Sequence, residues 1–246
     1  MGGTGHAAPD VSETRGQVVR LWRYPVKSML GEECAHLVVD ERGVVGDRLF
    51  AVRDVDGKFG SGKTTRRFRK IDGLFGFRAE YEHDVPRITF PDGRSMLGND
   101  STVDAALSEA LCQPVTLARE AGISHFDAGP LHLLTTASLV WLKSLLPDAR
   151  IDGRRFRPNL LVDIPGAIQV ERLWLGKTLY VGEEVTLRVR DLTERCVIVN
   201  LPQADLPDDS RVLRRLGRET GPHFGVYAEV LVAGTIKRND RLLVRK

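Results

Sequence analysis

The sequence predicts a mainly β protein with some helix, an α+β chain arranged in two blocks. Short apolar runs with period-two alternation recur along most of its length. Turn residues such as Asp56-Gly57 and Pro91-Asp92-Gly93 separate them, and only a few segments carry the 3.6-residue apolar spacing of a helix.

Met1 to Gly16 is rich in Gly, Ala and polar residues and reads as a flexible tail, without the apolar core of a signal peptide or the length of a membrane span. Strands follow at Val18 to Trp22, His36 to Val39 and Asp47 to Arg53, then at Phe77 to Tyr81 and Arg87 to Phe90. Val103, Ala106, Leu107 and Leu111 share a face, so a helix is expected from Ser101 to Leu111, with Asp100 or Ser101 as its cap. This makes a first block of curled β structure with one helix. A loop-like stretch from Gly122 to Pro130 suggests a boundary near residue 120, giving blocks of 17–118 and 119–246. In the second block Thr135 or Thr136 caps a helix whose face is Leu139, Leu142 and Leu146 and which Pro147-Asp148 ends. Strands are expected at Asn159 to Ile164, Leu179 to Val181, Val185 to Val189 and through Val197-Ile198-Val199. Asp208-Asp209-Ser210 caps another helix, ending at Gly217, and Val226 to Val232, Thr235 to Lys237 and Leu242 to Val244 close the sheet.

Composition narrows the function classes. The chain has 246 residues, 42% hydrophobic and 28% charged, which is ordinary for a globular protein able to bury one large core or two modest ones. A net charge of +3 is mildly basic, and the one basic run, Arg66 to Lys70, is too short for a nucleic-acid face. Cys34, Cys112 and Cys196 are odd in number and far apart, so no disulfide framework, zinc knuckle or iron–sulfur run can be written; a reducing cytoplasm is the expected location. Gly2 invites myristoylation, but His6 stands where Ser or Thr is needed.

Gly57-Lys58-Phe59-Gly60-Ser61-Gly62-Lys63-Thr64 matches the phosphate-loop pattern letter for letter. That loop works between a buried parallel strand and a helix whose amides cradle phosphate. Here polar Arg53 to Asp56 leads into a hairpin turn, and Thr65 to Lys70 has no helical apolar stripe. The stretch is read as a glycine-rich hairpin whose basic residues suit contact with an anion, rather than as a nucleotide site.

Chemistry is concentrated elsewhere. In Thr193-Glu194-Arg195-Cys196 a basic alternating strand meets an apolar one, placing a cysteine with cations beside it, a setting that favours the thiolate needed to bind a soft metal or attack an electrophile. A free cysteine is as readily a small buried hydrophobe. Tyr24-Pro25-Val26-Lys27-Ser28 and Gly46-Asp47-Arg48 place cations at strand ends. In Arg155-Phe156-Arg157-Pro158-Asn159 the residue before proline should be extended, with Arg157 and Asn159 on one side. Guanidinium forks suit phosphate oxygens and heterocycle edges, so together these suggest a pocket for a phosphorylated, sulfur-ligated metal cofactor.

With those segments, together with His132 to Leu139, Phe224-Gly225-Val226-Tyr227 and Gly234-Thr235-Ile236, the chain resembles the MOSC family, and in particular its amidoxime-reducing members. The resemblance implies a MOSC N-terminal β-barrel domain packed on a MOSC β-barrel domain. It implies a molybdenum pyranopterin cofactor, with Cys196 as the metal ligand and the catalytic residue. It also makes Lys27, Ser28, Arg48, Asp127, Arg157, Asn159, Arg195 and Tyr227 the cofactor-binding set, while His132 reads as a packed strand-end histidine. The implied activity is reduction of N-hydroxylated small molecules by oxygen-atom transfer. Electrons would come from a separate ferredoxin, flavoprotein or cytochrome, since this chain offers no second redox centre and no membrane anchor. The other reading the resemblance supports is a cofactor carrier or sulfur-transfer module. Pyridoxal phosphate is not expected, because no Schiff-base lysine stands out. Glu194 departs from the pattern, in which a small serine precedes Arg195-Cys196.

Overall fold

Period-two burial along Val185–Glu194, with Val185, Leu187 and Val189 inside and Arg188 and Arg190 outside, shows how the chain closes on itself. The computed structural model describes residues 14–245. In it, seven strands make a closed barrel in the order Leu160–Asp163, Leu131–Thr135, His223–Val232, Val185–Glu194, Thr178–Val181, Arg241–Arg245 and Thr14–Arg23, which returns to Leu160–Asp163. Closure removes the exposed sheet edges that would otherwise invite pairing with another chain. The pairing of Leu131–Thr135 with Leu160–Asp163 is parallel, and the helix Thr136–Leu145 lies in the connection between them, as a parallel crossover requires. Inside, Val18, Leu21, Leu133, Val162, Leu187, Val189 and Val226 pack around the fully buried Trp174.

The smaller sheets lie mostly in the first half of the chain. Thr116–Arg119, Phe50–Arg53, Phe59–Ser61 and Phe68–Lys70 form one; Ser95–Leu97, Val85–Thr89 and Arg78–Glu82 form another. The two share a core with the helix Val103–Ala110, through Val52, Phe77, Ile88, Val103 and Leu107. The division expected near residue 120 is crossed by strand pairing. Thr14–Arg23 completes the barrel of the second half, and His36–Asp40 pairs with Gly234–Lys237. Thr14 to Gly16, expected in the tail, are therefore strand; the rest of that tail lies outside the described residues.

Several local expectations change. Val197–Asn200 is a 3-10 turn, not a strand. Arg195 N donates to Pro222 O at 2.7 Å, and then the chain turns so that Val199 is buried beneath the helix Arg211–Thr220 while Val197 stays exposed. Tertiary packing overrides the β propensity of the apolar run. That helix continues through Gly217 and stops at Gly221, which takes the left-handed conformation of a helix C-cap. Thr135 caps the Thr136–Leu145 helix as expected, accepting from Ser138 N at 3.1 Å.

A buried carboxyl braces this cap. Glu171 is fully buried; its Oε2 accepts from Thr135 Oγ1 at 2.7 Å and its Oε1 from Ser138 Oγ at 2.6 Å. Burial raises its pKa above the ordinary 4.5, the two hydroxyls opposing only in part. A raised folded-state pKa means the folded protein holds the proton more tightly than the unfolded chain. The contribution to stability is therefore complete below pH 4.5 and is lost as pH rises through the raised value. Glu171→Gln should remove this dependence, so that melting temperatures at pH 5 and pH 8 lie closer together in the variant than in the wild type.

Candidate functional site

Cys196 lies at the end of the chain segment that leaves the barrel, where Arg195 N makes the last bond toward the neighbouring strand. It lines a cavity between the barrel and the smaller sheets, together with Lys27, Ser28, Arg48, Asp127, Arg157, Arg195 and Tyr227. Of the residues expected from sequence, only Asn159 stands behind the wall. It is buried, its Oδ1 accepts from His132 N at 3.1 Å and Arg48 Nη1 at 3.4 Å, and its Nδ2 donates to Trp22 O at 3.2 Å. Asn159 thus positions the residues that face the cavity.

The cations fall into two groups. Lys27 is buried, and its Nζ donates to Asp127 Oδ1 at 2.6 Å and His125 O at 2.9 Å. Burial lowers its pKa against the opposing pull of Asp127; the Asp127 carboxyl is itself held low by Lys27, against the effect of burial. Arg48 bonds the fully buried Asp47 through Nη1 and donates to Arg157 O at 3.1 Å through Nη2. Both cations are matched by a carboxylate. Arg157 and Arg195 are not. Arg157 Nη1 donates to Met29 O at 2.7 Å and Arg195 Nη2 to Phe156 O at 2.6 Å, while Arg195 Nε is buried without a partner. Among the described residues neither makes an ion pair with a carboxylate, and burial pushes Arg157 down to about 10 and Arg195 down from its ordinary value. Arg157 is buried and Arg195 half-buried, and a cation withdrawn from water with only carbonyl partners is costly unless an anion joins it.

Backbone strain gathers at the same place. Ser28, Arg48 and Arg157 are non-glycine residues with φ of 64°, 48° and 55°. Arg157 was expected to be extended before Pro158 but is left-handed, with φ 55° and ψ 48°, because its N–H closes the Gly153–Phe156 turn onto Arg154 O at 3.0 Å. The Tyr24 ring lies between Arg48 and Arg157, their guanidinium carbons 4.4 and 4.3 Å from its centroid. Burial raises Tyr24 to about 12, so it stays neutral there.

Sequence reasoning missed Lys63, which also lines the cavity. It belongs to the stretch that imitates a phosphate loop, and the structure shows no helix after it: Phe59–Ser61 and Phe68–Lys70 are short strands. These two strands pair in parallel, so the connection holding Lys63 is a loop and not the expected hairpin. Gly57 serves the preceding turn with φ 74°, whereas Gly60 and Gly62 serve packing. A Cβ at Gly62 would lie 2.8 Å from Leu201 Cδ1 and 3.0 Å from Ile198 Cγ1, so the loop rests directly on the turn that follows Cys196. Arg67 Nη2 ties the same loop to Ser124 O in the loop carrying Asp127. His132 is buried in its strand, with Nδ1 3.3 Å from Arg157 O, and burial keeps it neutral, well below its ordinary pKa. It also lines the cavity.

The MOSC domain model matches residues 120–243, and the MOSC N-terminal beta barrel domain model matches residues 15–130. The chain belongs to the MOSC family. That family is associated with molybdenum-cofactor binding and includes members associated with oxidoreduction. The YuaD protein from Bacillus subtilis shares this MOSC fold, with 12% identity, coverage of 95% of this chain and 97% of that one, and a TM-score of 0.55. YiiM from Geobacillus stearothermophilus aligns over 62% of this chain and 67% of its own, with 15% identity and a TM-score of 0.38. No curated protein matches the chain.

The cavity of this MOSC protein suits a phosphorylated group with a soft metal. Its donor set offers one sulfur, and no cluster of three or more His, Cys, Asp or Glu side chains able to hold a metal occurs among the described residues. A metal held at Cys196 would therefore bring its other ligands with it, and the unmatched guanidinium groups suit an anionic carrier for those ligands. Gly62→Ala should force Leu201 and Ile198 away from the loop that holds Lys63 and destabilise the protein by about 1–3 kcal/mol, the range for overpacking a tight contact. Urea denaturation of the two proteins measures the difference.

Proposed function

We propose that this MOSC protein is a molybdenum-dependent reductase of N-hydroxylated or related N-oxygenated small molecules. One observation supports it above the others: Cys196 shares a wall with Arg157 and Arg195, two guanidinium groups that the protein leaves without carboxylate partners. When bound, a molybdenum pyranopterin supplies two-electron oxygen-atom transfer.

The chain's own residues supply the rest. Cys196 provides the thiolate that ties the metal to the protein. Arg157, Arg195 and Lys63 offset the charge of the phosphate and of the anionic sulfur ligands, while Arg48 and Ser28 keep those cations in register. Ser28 does so by donating from Oγ to Gly60 O at 3.0 Å, which fixes the strand leading into the loop with Lys63. Tyr227, whose hydroxyl burial keeps protonated, and Asp127 stand on the cavity wall. Electrons arrive from a separate carrier of the ferredoxin, flavoprotein or cytochrome class, and the setting is the cytoplasm. No helix among the described residues is long and apolar enough to cross a membrane.

The decisive assay is reduction of benzamidoxime by the cofactor-loaded protein with an artificial electron donor, alongside elemental analysis. Cys196→Ser should lower turnover by at least 100-fold, a change of about 2.7 kcal/mol in the barrier. Turnover retained by the variant would remove Cys196 from the proposal. Molybdenum without turnover in the wild type would instead mark a carrier module.

A further inference from the structure

The helix Arg211–Thr220 carries two opposite stripes. At about 3.6 residues per turn, Arg211, Arg214, Arg215 and Arg218 fall within roughly 100° of arc on one side, while Val212, Leu213 and Leu216 face the other way. The apolar stripe is used by the fold. Val212 and Leu216 are buried in one cluster with Val199, and Leu213 N donates to Asn200 Oδ1 at 2.9 Å, which fastens the helix to the turn that follows Cys196. The arginines are used only in part. Arg211 is bonded to Asp209 at 2.7 Å and Arg215 lies 3.1 Å from Glu219. Arg214 and Arg218 are exposed, and among the described residues neither has a hydrogen-bond partner or an ion pair. The helix dipole favours a cation in the last turn, which accounts for Arg218 and not for Arg214.

What lies beneath the helix gives the basic stripe a use. Val199 is also a wall residue of the cavity that holds Cys196. The apolar stripe therefore backs onto that wall, and the arginines face solvent across a single helix, about 10 Å thick with its side chains. Val197, beside Cys196 on the same turn, is exposed and offers an apolar point of contact. Electron-transfer complexes bury little area, less than about 1,200 Å². They rely on complementary charge to bring the partners together. A surplus of positive charge behind the cavity calls for a partner with a surplus of carboxylates.

We infer that the arginine face of this helix is the docking surface for an acidic electron-carrier protein, whose carboxylates pair with Arg214 and Arg218. The passage of electrons rests on the reductase reading; the binding of an acidic protein to this face can be measured without turnover.

The test is a titration of the purified full-length chain with an acidic ferredoxin, followed by biolayer interferometry. Binding should weaken about tenfold or more between about 20 mM and about 300 mM sodium chloride, because paired surface charges are screened. At about 100 mM salt, where a charge acts over about 10 Å, Arg214→Glu with Arg218→Glu should weaken binding about tenfold or more. Reversal of two exposed arginines of the barrel wall, Arg188→Glu with Arg241→Glu, should change it less than about threefold under those conditions. Since neither Arg214 nor Arg218 is bonded within the fold, their double variant should melt close to the wild type and keep its turnover with an artificial donor. Absence of salt-dependent binding in the wild type, or equal loss in the two double variants, would overturn the assignment. So would a DNA duplex that binds more tightly than the ferredoxin through the same arginines, which would make the face a nucleic-acid surface. Ferredoxin binding through Arg214 and Arg218 without any reduction of benzamidoxime would remove the reductase and leave the docking face standing. Ferredoxin-driven reduction at the wild-type rate by Arg214→Glu with Arg218→Glu would do the reverse.

Discussion

Two guanidinium groups set against backbone carbonyls, rather than against carboxylates, are the constraint from which the site follows. Arg157 reaches Met29 O and Arg195 reaches Phe156 O, which fixes their direction while leaving their charge unanswered. Buried charge without a counterion is expensive; the fold accepts it elsewhere too, at Arg155, whose guanidinium meets only Val199 O and Pro207 O, but Arg157 and Arg195 line the cavity, where an anion can answer them.

The architecture keeps that arrangement rigid. Arg195 and Cys196 follow directly from a barrel strand, Arg157 and Asn159 precede one, and Lys27 and Ser28 follow the strand that closes the barrel. Asn159 links three of these segments at once through His132 N, Arg48 Nη1 and Trp22 O. The smaller sheets add the loop with Lys63 and the loop with Asp127, joined by Arg67. That loop is anchored at Glu120, whose carboxylate is held down to about 2, against the effect of its burial, by the Arg42 fork and the amide of His125. Positive φ at Ser28, Arg48 and Arg157 shows that the backbone gives up local comfort where side chains converge.

Much of this was legible in the sequence because the site is built from short segments with fixed turn chemistry. Period-two burial revealed most of the long barrel strands, and the cation-bearing turns and the cysteine stood out as residue types. What escaped was non-local. Nothing in Thr14–Arg23 says that it pairs with Leu160–Asp163 and Arg241–Arg245 across the expected domain boundary. Val197-Ile198-Val199 has the composition of a strand, and only the helix packed over Val199 makes it a turn. Arg157 broke the pre-proline expectation because a turn hydrogen bond and a carbonyl partner outweigh a local preference. Lys63 was hidden by its own motif: once the phosphate-loop reading failed, the anion contact expected of this basic stretch was not tied to the lysine, although its glycines marked a close approach that the contact of Gly62 with Leu201 and Ile198 explains.

The central claim is that Cys196 supplies one sulfur to a molybdenum whose other sulfurs arrive with the cofactor. Molybdenum K-edge X-ray absorption of the loaded protein counts those ligands directly. The account predicts one more sulfur in the first coordination shell of the wild type than in Cys196→Ala. An identical sulfur count in the two proteins, or a wild type that takes up no molybdenum when supplied with the cofactor, would contradict it.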